Sequence, residues 1–130
     1  MNISEFAQRC GLSQHTLRYY EKIGLLPEIA RNSSNHRAYS EADIVWVAFI
    51  KRLKETNMPL VDIQRYVVLR EQGETTEPAR RQLLVEHAAQ LEKTIKKDME
   101  HLKKLNEKIQ FYEKSIGLKK SASLRVDSKR

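Results

Sequence analysis

At 130 residues the chain has room for one compact domain, or a small domain with an extension. Its composition, 40% hydrophobic and 32% charged, allows a core, and only three prolines and four glycines leave long helices unbroken. No run of about 18 apolar residues occurs, so no membrane span is expected. The opening residues lack the basic start and apolar stretch of a signal peptide. The single cysteine, Cys10, excludes an internal disulfide framework, and the expected setting is cytoplasmic. The net charge is +7, but residues 1–75 hold 10 basic and 9 acidic side chains (+1) while residues 76–130 hold 14 and 8 (+6). The excess basicity thus lies mainly in the second half, and the pI alone does not establish a nucleic-acid partner.

Asn2 and Glu5 predict a helix start, with Ile3, Phe6 and Ala7 as its apolar face and Gly11 as its stop. Ser13 predicts the cap of a second helix, from Gln14 to about Ile23, ended by Gly24. Two short helices joined by a glycine-containing turn form a helix-turn-helix. From Leu25 to Tyr39 neither a helical nor a strand period survives, which predicts a turn between short extended pieces, a wing. Ser40 and Asp43 predict a capping box on a third helix whose core face is Ile44, Val45, Val47, Ala48, Ile50 and Leu53. Asn57, Met58 and Pro59 break that helix, and a fourth follows from about Leu60 to Arg70.

From Glu77 the apolar pattern becomes a heptad seam: Leu84, Ala88, Leu91, Ile95, Leu102, Leu105, Ile109, Tyr112 and Ile116, with one polar position at Asp98. Such a narrow stripe on a helix of roughly 60 Å needs a partner helix, so a homodimer is expected. His87 and His101 share one heptad position beside the seam and read as solvated flanking residues. The expected domains are a winged helix-turn-helix head over 1–75, a dimerisation helix over 76–117 and a basic, disordered tail over 118–130. The fold class is mainly all-α with a small β wing.

The second helix carries the chemistry. His15, Arg18, Tyr19 and Lys22 share one helical face, with Leu17 and Tyr20 towards another. Arginine can fork onto guanine, while lysine and the tyrosine hydroxyl reach phosphate. Ser13, Gln14 and His15 begin the helix, the end that enters a major groove first. In the wing, Arg31, Asn35 and His36 add polar reach, and Arg37 and Tyr39 fall on one side of an extended piece. The same face also reads as an ordinary solvated helix side with a charged rim.

The run TLRYYEKIGLLP over 16–27, with RAYS over 37–40 and Asp43-Ile44, resembles the head of MerR-family regulators, in order across about residues 2–70. The resemblance implies a homodimer with an antiparallel two-helix coiled coil on double-stranded promoter DNA. It implies action on RNA polymerase indirectly, by bending and untwisting an overlong promoter spacer. By position it implies Arg18 in the major groove, Tyr19, Arg37 and Tyr39 on the backbone, and Tyr20 packed within the head. EQG over 71–73, PAR over 78–80 and VAFIK over 47–51 are similar to the family branch that responds to aldehydes and nitrosative stress. That branch carries a cysteine where this chain has Arg52, and the guanidinium cannot act as the thiolate nucleophile. Cys10 reads first as a packing residue; a redox role there would disturb the helix-turn-helix directly.

No Cys/His spacing supports a metal site, and no cofactor is expected. An unknown small-molecule effector, if the chain takes one, would lie near Trp46, Phe49, Tyr66 or the first turns of the long helix. A coiled-coil adaptor is the competing reading; an enzyme lacks any visible nucleophile, base or phosphate loop.

Overall fold

The structure, a computed structural model, describes residues 1–117 apart from 28, 30 and 35. The helices run α1 Ile3–Cys10, α2 Gln14–Lys22, α3 Glu41–Glu55, α4 Leu60–Glu71 and α5 Glu77–Ser115, with a 3-10 turn at Glu74–Thr76. The expected basic tail over 118–130 and the wing residue Asn35 lie outside the described residues.

Local chemistry sets most boundaries. Asn2 Oδ1 accepts from the Glu5 N–H at 2.9 Å, and Ser13 Oγ accepts from the Thr16 N–H at 3.0 Å. These caps satisfy backbone donors that a first helical turn leaves free. Ser40 and Asp43 close a full capping box on α3: the Ser40 N–H donates to Asp43 Oδ2 at 2.9 Å and the Asp43 N–H to Ser40 Oγ at 3.3 Å. Gly11 ends α1 at φ 71°, a left-handed conformation that favours glycine.

The chain divides into two compact units, Met1–Ala88 and Ala89–Arg130. In the first, α1, α2, α3 and α4 enclose a core with Phe6, Leu17, Leu25, Val47, Ile50 and Ile63 almost fully excluded from water. The expected head ended at residue 75; the compact unit reaches further because Leu84, on α5, packs against that core. Val45 and Ala48, expected on the core face of α3, point outward, and Val45 is 70% exposed. The core side of α3 instead runs through Trp46, Val47, Ile50 and Leu53. Trp46 takes the inward place because its indole N–H donates to the Leu25 carbonyl at 2.8 Å, satisfying both groups in the interior.

The expected β wing is present only as a tight turn. Among the described residues there is one antiparallel bridge, Arg31 to Arg37, and no strand. Asn32 supplies the reason: its Oδ1 accepts from the Ser34 and His36 N–H groups at 2.9 and 3.1 Å. The side chain thus takes donors that a longer ladder would have used.

In the second unit, the described part of α5 buries none of its residues; Ile95, Leu102, Leu105, Ile109 and Tyr112 are each at least half exposed.

Candidate nucleic-acid interface

The α2 helix sorts its side chains as a period of 3.6 requires. Leu17 and Tyr20 are buried, while His15, Arg18, Tyr19 and Lys22 are exposed. Gln14 is half-buried, and its Oε1 accepts from Arg18 Nη2 at 3.4 Å, one turn along. Ser13 is exposed, yet its hydroxyl is engaged: it accepts from the Thr16 N–H and donates to Thr16 Oγ1 at 2.9 Å. Its first task is therefore to start α2.

Between α2 and the wing lies a crevice of about 580 Å³. Among the described residues its basic lining is Arg18 and Lys22 from α2 with Arg31 and Arg37 from the wing, and Glu21 is the acid among them. Arg37 Nη1 pairs with Glu21 Oε1 at 3.1 Å. The surface thus gathers cations from two elements that the sequence separates by nine residues or more. Arg31 was expected in the wing, but Glu21 was not picked out from the sequence; a carboxylate set among basic positions was the available signal for it.

Tyr39 corrects an expectation. It was placed with Arg37 on the outward side, but only 3% of it is exposed, and its ring stacks on Phe6 at 4.2 Å between centroids. Main-chain pairing holds it there: the Tyr39 N–H donates to the Met1 carbonyl at 2.9 Å, and the Met1 nitrogen to the Tyr39 carbonyl at 2.7 Å. In that place the phenol ring buries its apolar faces and stacks on Phe6, a gain that aromatic rings draw from a core site. Alternation along the wing still brings Tyr39 towards Arg37. Burial first, then Glu21, pushes the Tyr39 phenol above its ordinary value, and Arg37 and Arg18 pull against them. The hydroxyl is buried, and the Arg37 guanidinium acts on it.

Residues 1–68 match the model of the MerR HTH family regulatory protein, and residues 44–107 match the model described as MerR, DNA binding. The chain belongs to the MerR family. It is 37% identical to the HTH-type transcriptional regulator AdhR of Bacillus subtilis over 91 residues, 70% of this chain and 65% of AdhR. A MerR-family regulator from Listeria monocytogenes has a similar structure, with TM-score 0.83 and 34% identity over 87% of this chain and 86% of that one. So does HiNmlR, a MerR-family regulator lacking the sensor domain and solved bound to promoter DNA. Its TM-score is 0.81 at 31% identity, over 90% of this chain and 93% of HiNmlR. The chain spans less than two thirds of the length of two curated relatives that it matches, 65% of AdhR and 48% of the Bacillus subtilis regulator YyaN.

Two further residues of this MerR-family chain were weighed from its sequence, Cys10 as a packing residue with a redox role as the alternative and His87 as a solvated flanking residue. Cys10 is half-buried beside a cavity of about 240 Å³ that Lys51 and Arg52 also line. Burial pushes the Cys10 thiol up, against the pull of Lys51 and Arg9. A thiol held protonated is a weak nucleophile. His87 is not a solvated flanking residue: its Nε2 lies 2.7 Å from Thr56 Oγ1. The threonine hydroxyl already donates to the Arg52 carbonyl at 2.7 Å, so it accepts from His87, which assigns the imidazole proton to Nε2. Among the described residues, no three His, Cys, Asp or Glu side chains are grouped as metal ligands would be, and no helix is long and apolar enough to cross a membrane.

Proposed function

We propose that the chain is a sequence-specific transcription regulator that binds double-stranded promoter DNA as a homodimer. The observation that carries this reading is the exposed α2 face of His15, Arg18, Tyr19 and Lys22 beside the basic wing crevice. The α2 helix has the form of a recognition helix: Gln14, His15 and Arg18 meet base edges, while Tyr19, Lys22 and Arg37 meet phosphates. HiNmlR, similar along nearly the whole chain, is itself bound to promoter DNA. Arg18 arrives partly ordered by Gln14, which lowers the cost of fixing it on a base.

The seam from Ala88 to Tyr112 pairs with a second copy in an antiparallel coiled coil. Dimerisation sets two heads on half-sites about one DNA turn apart. Held in that way, the heads bend and untwist the promoter spacer and so act on RNA polymerase indirectly; the specificity of that step lies in DNA deformability. A DNA target of this kind places the protein in the cytoplasm. The relatives are regulators, and the proposed chemistry is binding without catalysis.

A footprint on DNA upstream of the chain's own gene tests the reading. A symmetric protected site is expected, with affinity that falls steeply as salt rises, because bound phosphates release counterions. Absence of protection at low salt, or affinity indifferent to salt, would overturn it.

A further inference from the structure

Among the described residues that line the crevice between α2 and the wing, Glu21 alone is acidic. A carboxylate there repels phosphate, so on charge alone it weakens any grip on DNA. Its position gives it another use. The Glu21 side chain is only 19% exposed and that of Arg37 38%, and the two pair at 3.1 Å across the crevice. Among the described residues, the main-chain bonds that secure the wing, the Arg31–Arg37 bridge, the Asn32 turn and the pairing of Tyr39 with Met1, fix its backbone and leave the direction of the Arg37 guanidinium to side-chain contacts. A guanidinium carries five N–H donors in a rigid fork, so an edge held by Glu21 leaves other donors for a ligand.

We propose that Glu21 is a positioning residue that holds Arg37 across the crevice and sets the wing in register with α2, favouring one DNA geometry over others. The proposal rests on the DNA-binding reading above. It makes a prediction opposite to charge counting. Neutralising Glu21 adds a net positive charge to the face, which by itself strengthens binding to any duplex. If Glu21 positions Arg37, the same change weakens binding to the preferred site, because an unheld guanidinium must be ordered at each encounter.

The test uses the full chain and two duplexes of equal length: one enriched by the wild-type chain from a random pool, and a scrambled control. Binding of wild type, Glu21→Gln, Arg37→Gln and the double variant is measured by anisotropy, with thermal unfolding as a check on folding. Glu21→Gln is expected to bind the enriched duplex about tenfold more weakly, the scale of one charge-assisted contact. It should bind the scrambled duplex as well as wild type or better. In the Arg37→Gln background it should cost almost nothing, since there is no guanidinium left to position. An undiminished affinity of Glu21→Gln for the enriched duplex overturns the proposal. So does an equal loss in both backgrounds, which marks a purely structural role. Should Glu21→Gln fail to fold, Glu21→Asp takes its place: the shorter carboxylate keeps the charge but not the reach, and the same two outcomes apply. Failure of the wild-type chain to enrich any duplex would overturn the DNA-binding reading and the clamp with it, whereas a normal wild type beside an unaffected Glu21→Gln removes the clamp alone.

Discussion

The head and the later part of α5 treat their apolar residues in opposite ways. In the head, side chains from four helices meet one another, and Phe6, Leu17 and Leu25 are fully excluded from water within a single chain. Along α5 after residue 88, Leu102 and Leu105 stand 56% and 62% exposed although their heptad spacing is unbroken. The head contains the partners for its own apolar surface; the helix presents an exposed stripe, which the proposed dimer covers with a second helix. The head should therefore fail through single-chain packing, and the helix through assembly.

The largest expected effect comes from breaking the seam. Leu105→Asp places a charge in it and should abolish the dimer, with sedimentation at monomer mass and promoter affinity lower by orders of magnitude as bivalency is lost. The helical signal of the head should stay. A variant sedimenting as a wild-type dimer would refute this register. Leu17→Ala works on the other side of the comparison: emptying a fully buried site in the head should cost about 3–4 kcal/mol in denaturant unfolding. It should leave the association of the surviving folded chains unchanged.

Arg18→Ala sharpens the comparison within the head, since it alters the reading face and not the core. It should lose about 1–3 kcal/mol of discrimination per half-site in competition binding, with an unaltered dimer. Unchanged discrimination would remove Arg18 from the reading role. Trp46→Phe keeps an aromatic ring in place but shrinks it and leaves the Leu25 carbonyl unpaired; the lost bond alone should cost about 1–2 kcal/mol in unfolding, and the lost volume adds to it. The smallest effect concerns pH. Burial raises the Tyr20 and Tyr39 phenols above their ordinary 10.0, so the unfolded chain gives up these protons first. Their contribution is complete below that value and is lost as pH rises through and above it. Unfolding midpoints should hold steady at neutral pH and fall in the alkaline range, and less steeply in Tyr39→Phe.

Much of this molecule was legible in its residues, and the legible parts share a cause. Helix starts at Asn2, Ser13 and Ser40 depend on groups three residues apart. The exposed face of α2 and the α5 heptads depend on helical period alone. These interactions are closed within a turn or two of chain, so sequence spacing contains them. Tyr39 shows where that ended: alternation related it to Arg37 but did not reveal that Phe6, 33 positions earlier, would receive its ring. The outward turn of Val45, the seating of Leu84 on the core and the bond between Thr56 and His87 are of the same kind.

From its sequence alone the chain determined its helices, its family resemblance and the basic face that the proposal places on DNA. Only the tertiary structure decided which aromatic residues belong to the core, that the wing is a bridged turn, and that Glu21 and Arg37 form a pair. The physical reason is distance along the chain. A periodic pattern states which residues share a side, but which side meets which neighbour depends on the packing of segments far apart in sequence.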